Sequence, residues 1–593
     1  MSNYLAVVVA AELSPRVRGW LAERGAPADE VHVAPLGEGH ELVLVGRDVA
    51  RCVEPGRFFK GVAVSPEHGA IGFGVDGWRS MPESVRADPH GVAGEFVLVE
   101  WDDEQVAVRR DVFGAVSLAW TAGPGVVAAS DSLLVLVDLR RRLGLPVTQD
   151  AEHLLARSAA NGVSGQQTGE RTHVVEIAYT AAGRGLRVDV PGPVPVVDGA
   201  LLTDRVVDVE VDEVAETRDV ATFLARAMGT LATREDMDVR LMLSGGQDSR
   251  VLLGGALRAG TAHRLVIECN DNGPKNAADV AVVRTLADRF GLTVNGPRRF
   301  TGPETPAGPA LAVLASSTLG FYDLSILRGT VRTGAVGING TGAELYKGNW
   351  GWRPVEALAD HYRVADARRD AFVAQVSAGV RACGGDPDWA DASEILYCGY
   401  RNGIHGAGPH IAVGMTGLRP LHQLGIARLG HRRVDGRAPR EDRGTATVRG
   451  AQVDVMASLL ALMHPELAVM PYDMEKKTLT PPVVAAHLEA LGGPLGAAAD
   501  EPLSITGLPQ DVPAGPSALG IGVAEANGFG GRADVHSLLA VADRGVEAIV
   551  DPQVRVAYAE LLAKARWRLV TKGEAPRQAG TALGKLLAAT AVA

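Results

Sequence analysis

Short β-branched runs dominate the first 200 residues. "YLAVVVA" (4–10), "ELVLVG" (41–46), "EFVLVEW" (95–101), "QVAVRR" (105–110), "GVVAAS" (125–130) and "RGLRVDV" (184–190) are separated by Gly, Pro, Asp or Asn and predict strands. Helical spacing is sparse there, and "DSLLVLVDLRRRLG" (131–144) is its clearest stretch. The texture changes near residue 205. Residues 212–236 carry apolar positions at helical spacing behind early acids. "VRLMLS" then reads as a strand, "QDSRVLLGGALRAG" as a helix closing at Gly260, "HRLVIEC" as a strand and "AADVAVVRTLADRFG" as a helix closing at Gly291. Strand, helix, strand, helix predicts a parallel sheet. From about 355 to 490 the pattern is helical with Gly- and Pro-containing breaks, and residues 427–444 form a charged stretch read as a solvated loop. The expected architecture is therefore α/β plus a β-rich part: a β-sandwich over 1–205, then over 206–593 a parallel-sheet domain with a helical C-terminal part.

The 593 residues exceed one ordinary domain. The formal charge of −11 argues against nucleic acid as a partner, although the tail 563–587 is basic. No apolar run approaches the length that spans a bilayer, so no membrane partner is expected. Cys52, Cys269, Cys383 and Cys398 are widely spaced and form no C-x-x-C pair, which fits a reducing cytoplasm and excludes a zinc or thioredoxin-type site.

The chemistry concentrates at "LMLSGGQDSRVLL" (241–253), where a strand turns into a helix. A helix N-terminus presents unpaired N–H groups and the positive end of a dipole, a natural place for phosphate. Gly245 and Gly246 admit a close backbone approach, and Ser244 and Ser249 add hydroxyls. Asp248 would repel a bare phosphate but suits Mg²⁺ that bridges phosphates. The plain alternative is a glycine turn opening a helix behind an acid. "GTALGKLL" (580–587) has the wrong glycine spacing for a Walker A loop and reads as a helix end.

"LSGGQDSR" resembles the S-G-G-x-D-S pyrophosphate loop of the ATP pyrophosphatases, and its context resembles the asparagine-synthetase superfamily. Residues 267–292 look like the family's second strand and acid-bearing helix, with Asp279 at the acid position. "INGTGAELYKGNW" (338–350) resembles its G-x-G-A-D-E-L-F-G-G-Y segment, and "GLRPLHQLGIARL" (417–429) its R-x-P-F-L-D segment. Residues 94–134 look like the core of a class II glutamine amidotransferase. The resemblance implies ATP and Mg²⁺ as cofactors. It assigns Leu243, Ser244, Gly245, Gly246, Gln247, Asp248, Ser249, Arg250, Gly340 and Gly342 to nucleotide binding, and Asp248 and Glu344 to the metal. Lys476 or Lys477 stands at the family's phosphate-neutralising lysine or in a solvated pair.

Two departures narrow the expectation. Glutamine-hydrolysing members carry cysteine right after the initiator methionine, whereas this chain reads Met1-Ser2-Asn3. The N-terminal part is therefore expected to be an inactive remnant, as in β-lactam synthetases and lasso-peptide cyclases. Glu344 replaces the family's Asp, and Thr341 replaces the Glu or Tyr that activates the amine. A peptide α-amine needs little activation, so the expected reaction is adenylation of a carboxylate and macrolactam closure in a lasso-type precursor peptide. A leader-peptide-binding protein or a protease is a possible partner of such an enzyme. A small-molecule amide ligase acting on a carboxylate, such as a β-lactam synthetase, is the alternative. A tRNA-modifying pyrophosphatase is disfavoured by charge, and a non-catalytic scaffold by retention of Asp248. Glu394, Tyr397, Tyr400 and Arg401 are candidates to line the substrate cavity, Glu394 also for catalysis, or else to pack. His405, His410 and His422 are candidate bases or packed residues. The Arg cluster 428–443 is either an acidic-peptide contact or a solvated face.

Overall fold

The computed structural model describes residues 4–159, 162–190, 192–207, 209–271, 273–297, 304–306, 308–322, 330–406, 414–434 and 455–592. The molecule is mixed α/β with several sheets. Tyr4–Ala10 lies between Val126–Ser130 and His40–Gly46 in a six-stranded antiparallel sheet. Its unbroken apolar run follows from burial on both faces. Tyr4, Ala6 and Val8 share a core with Phe58, Val97, Val99 and Val106 of a second sheet. Leu5, Val7 and Val9 point the other way, into a core with Trp20 of helix Ser14–Glu23 and Leu136 of helix Leu133–Leu143. On the far face of the second sheet, Phe59 stacks on Trp78 of helix Gly74–Arg79 and on Phe96. The layers thus run helix, sheet, sheet, helix.

Five strands form the other main sheet: β1 (Asp238–Met242), β2 (Val266–Glu268), β3 (Thr293–Val294), β4 (Ala335–Ile338) and β5 (Thr416–Leu418). All pairs are parallel and the order is β3-β2-β1-β4-β5. The chain leaves β1 toward β2 on one side and returns to β4 on the other. The connections therefore diverge between β1 and β4, which opens a crevice at the carboxyl ends of these two strands. Helices Glu213–Thr233, Asp248–Arg258 and Val455–Met463 cover the sheet through Leu224, Met228, Leu252 and Leu460.

The expected elements over 238–291 are present, with Gly291 in the left-handed conformation at the helix end (φ 64°). The helix Ser14–Glu23 was not legible in the local pattern. "GTALGKLL" opens helix Gly580–Ala589 and fills most of it, and its Lys585 donates to Ser164 Oγ at 2.9 Å and to the Ala159 carbonyl. Contacts from the C-terminal part return across position 205. Ser504–Thr506 pairs in parallel with Ala70–Phe73 at the sandwich edge, and Ala518 donates its N–H to the Glu30 carboxylate at 2.7 Å. Among the described residues no helix is long and apolar enough to cross a membrane.

Candidate functional site

β1 ends at Met242, and the Leu243 N–H still bonds the Glu268 carbonyl (2.9 Å) before the chain turns. Three loop amides are then taken up internally. Ser244 N–H donates to Ser249 Oγ at 3.1 Å, Gly245 N–H to Asp279 Oδ1 at 2.7 Å and Gly246 N–H to Ser244 Oγ at 3.4 Å. Ser249 is buried and fastens the turn, so its hydroxyl braces the loop and does not reach outward. Gly246 faces open space: only Ser244 Oγ comes within 4 Å of the position a Cβ would take, at 3.5 Å. Gln247 and Asp248 follow at the helix start, where N–H groups lack intrahelical acceptors.

Arg250 does not face a phosphate position. Its guanidinium is fully buried, donates to the Met470 and Pro471 carbonyls (2.9 and 2.5 Å) and stacks 3.7 Å over Tyr472. These contacts tie the helix start to the 470–472 segment. That tie positions the next residues: Asp473 N–H bonds the Gly245 carbonyl at 3.2 Å, and the Asp473 carboxylate holds Lys477 at 3.0 Å. Lys477 is thereby brought beside the loop, while Lys476 is exposed to solvent.

The second wall of the crevice follows β4. Asn339 Oδ1 accepts the Thr341 N–H at 3.0 Å, which turns the chain back toward the loop. Gly340 lies directly on the helix start. A Cβ there would sit 2.6 Å from Ser249 N and 2.8 Å from Asp248 Cβ, so any side chain would wedge the two segments apart. Gly342, at φ 113°, packs against Leu421 and His422 after β5. Three strand-end segments therefore converge, and Arg419 fixes the third. Buried Arg419 donates to the Gly403 and Gly94 carbonyls (3.0 Å each) and pairs with Glu95 of the sandwich at 3.4 Å.

This convergence sets Glu344 opposite Asp248. Glu344 starts the short helix Glu344–Lys347 and accepts the Gly342 N–H at 3.0 Å. Burial, and next the Asp248 charge, push the Glu344 carboxyl above its ordinary value. Lys347, one turn on, forms an ion pair with Asp248.

Glu394 has a different task from the one expected. Its carboxylate accepts the N–H groups of Asn349 (2.9 Å), Trp350 (2.7 Å), Gly351 (2.7 Å) and Trp352 (3.3 Å). Burial raises its pKa against the pull of those four donors. A carboxylate so occupied, and buried, shapes the 349–352 turn. Tyr397 and Arg401 do share a face, on a π-helical turn, with the guanidinium 5.8 Å from the ring centroid. Tyr397 Oη meets His405 Nδ1 at 3.1 Å, and burial with nearby Arg401 lowers His405 to about 4. Tyr400 and His422 are buried. Of the Arg cluster, Arg428, Arg432 and Arg433 bind the carbonyls of Arg205 (3.0 Å), Val209 (2.6 Å) and Tyr346 (3.0 Å). Met1–Asn3, His410 and the rest of that cluster lie outside the described residues.

Sequence reasoning passed over Lys347 and Asp473. Lys347 carried a usable signal, since it stands three residues after Glu344 on the same helical turn. No family model matches the chain, and no curated protein matches it. Among solved structures, one described as the allosteric regulatory enzyme of purine biosynthesis aligns at 10% identity over 61% of this chain and 78% of its own, with a TM-score of 0.19.

Proposed function

We propose that the chain is an ATP-dependent, AMP-forming carbon–nitrogen ligase of the asparagine-synthetase kind. In this reading it adenylates a substrate carboxylate and joins it to an amine, closing a macrolactam in a lasso-type precursor peptide. The observation that supports it is the packing of Gly340, after β4, directly on Asp248 and Ser249 after β1, which brings Glu344 within reach of the Asp248 charge beside a glycine turn that opens a helix. Ligands of open α/β sheets bind at such a reversal of strand order.

The donor set fits magnesium nucleotide. Mg²⁺ uses one or two carboxylates and completes its shell with phosphate and water oxygens. Among the described residues no three His, Cys, Asp or Glu side chains gather as a self-sufficient metal cage, so a metal held here needs the nucleotide's oxygens. Asp248 and Glu344 would hold the ion, which when bound neutralises charge on the departing pyrophosphate. The N–H groups of Gln247 and Asp248 would donate to phosphate oxygens at the helix start, and Lys477 adds positive charge beside Gly245. The carboxylate oxygen attacks the α-phosphorus and pyrophosphate leaves. The amine nitrogen then attacks the acyl carbon of the mixed anhydride, AMP leaves with the bonding electron pair, and the amine proton passes to solvent or a nearby base.

The sandwich is read as an inactive amidotransferase-like domain. All four cysteines are buried, with Cys52 pushed up to about 11 and Cys383 to about 12 by burial. Such thiols are not the thiolates that nucleophilic catalysis requires. The test is exchange of labelled pyrophosphate into ATP across a panel of peptides and amino acids, with chromatography of the spent nucleotide. AMP and pyrophosphate are expected; ADP as the main product ends the acyl-adenylate account.

A further inference from the structure

Lys347 occupies a place that stability does not explain. Its ammonium pairs with Asp248, and both side chains remain about one-third exposed (34% and 33%). Pairs this open contribute little to folding. Yet the backbone beneath Lys347 is held with care. Trp352 Nε1 donates to the Lys347 carbonyl at 2.9 Å, and Arg433 donates to the Tyr346 carbonyl at 3.0 Å. Gly348 makes the first contact possible: at φ 81°, a Cβ there would lie 2.2 Å from Trp352 Nε1. Trp352 itself is held at φ 49°, a costly conformation for a large residue. The Glu394 carboxylate, bonded to the N–H groups of residues 349–352, fixes the turn that imposes it. The main chain is therefore locked, and only the flexible four-carbon stem of Lys347 is left to move.

Asp248 and Glu344 lie close enough for their charges to interact, and Lys347 is the cation seated on Asp248. We propose that Lys347 is a resident counter-ion of the crevice: it holds Asp248 when no divalent ion is bound, and turns to the phosphates when magnesium nucleotide enters. This rests on the reading of the crevice as a nucleotide site. A cation that is already present limits carboxylate repulsion in the ligand-free protein and then adds a charge-assisted hydrogen bond to the ligand. It also competes with Mg²⁺ when the metal arrives alone, which delays metal capture until phosphate oxygens can complete the shell.

The two halves of the proposal predict opposite signs for one substitution. Full-length Lys347→Met and wild type are compared by calorimetric titration with MgCl₂ alone, with ATP in EDTA and with Mg·ATP. Lys347→Met is expected to bind Mg²⁺ alone on the order of tenfold more tightly, because the competing charge is gone. It is expected to bind Mg·ATP about 10–100-fold more weakly and to lose metal-free ATP binding, because a charge-assisted bond to phosphate is gone. Lys347→Arg, which keeps the charge, should restore nucleotide affinity to within a few-fold. Unchanged affinities in Lys347→Met, or tighter metal binding with nucleotide binding untouched, overturn the proposal while the wild-type Mg·ATP titration upholds the nucleotide site. Absence of Mg·ATP binding to the wild type overturns the nucleotide reading itself and this proposal with it.

Discussion

In the sandwich, Asp111 is fully buried, and its two oxygens take the N–H groups of Phe113, Ala115 and Val116 at 2.9–3.3 Å. Asp248, at the carboxyl end of the parallel sheet, is one-third exposed and faces a second carboxylate across a glycine turn. The first acid is enclosed by its own loop, and burial pushes it up to about 6 against those donors. The second stays partly open, adds to the burial that raises Glu344 and is paired with Lys347. Backbone donors converging on one acid build structure. Two acids brought together with an open side cost stability in return for a place where a cation and phosphates can bind.

The comparison breaks most sharply if substitutions on the two sides have the same consequence. Asp248→Asn and Glu344→Gln are expected to lower pyrophosphate exchange about 10²–10³-fold with thermal stability unchanged, and Glu344→Asp to keep part of the activity. If both variants stay within a few-fold of wild type at saturating Mg·ATP, the crevice acids do not hold the metal. Asp111→Ala should do the reverse. It leaves three buried N–H groups without their acceptor, so urea denaturation should show a loss of about 2–3 kcal/mol while the remaining folded protein exchanges at the wild-type rate. Gly340→Ala joins the two cases, because its Cβ must push Asp248 and Ser249 away from the 340 segment. A cost of about 1–2 kcal/mol is expected together with weakened Mg·ATP binding; loss of stability with unchanged nucleotide affinity would separate Gly340 from the site.

The smallest effect concerns pH. Burial and Arg401 hold His405 down to about 4, below its ordinary 6.5. The unfolded chain takes up that proton first, so the stability from neutral His405 is present above pH 6.5 and is lost as pH falls from 6.5 toward 4. His405→Gln should flatten the acid limb of melting temperature against pH in that window. An acid limb identical in variant and wild type would show that other groups set it.

The loop was legible because its chemistry is local: two glycines, two serines and an acid lie within six residues, between a strand pattern and a helix pattern. The place of Glu394 was not legible for the opposite reason. An acid on a helical pattern looks the same whether its oxygens meet a substrate or four amides from a turn more than 40 residues away. Arg250 looked like a phosphate ligand from its place after Ser249, yet the Met470 and Pro471 carbonyls and the Tyr472 ring claim it from 220 residues on.

By itself, the order of residues determined the strand-turn-helix unit at 238–258, its exposed glycine and acid, the parallel-sheet class and the apolar strands of the sandwich. Those follow from backbone sterics and from hydrophobic period, which act over a few residues. Tertiary structure decided which acids face one another. Glu344 comes within reach of the Asp248 charge because β4 lies beside β1 and Gly340 has no Cβ to hold the segments apart. It also decided that Ser504–Thr506 closes a sandwich edge more than 430 residues earlier in the chain. Such pairings depend on which surfaces remain uncovered once the rest of the chain has packed, and no local pattern encodes that.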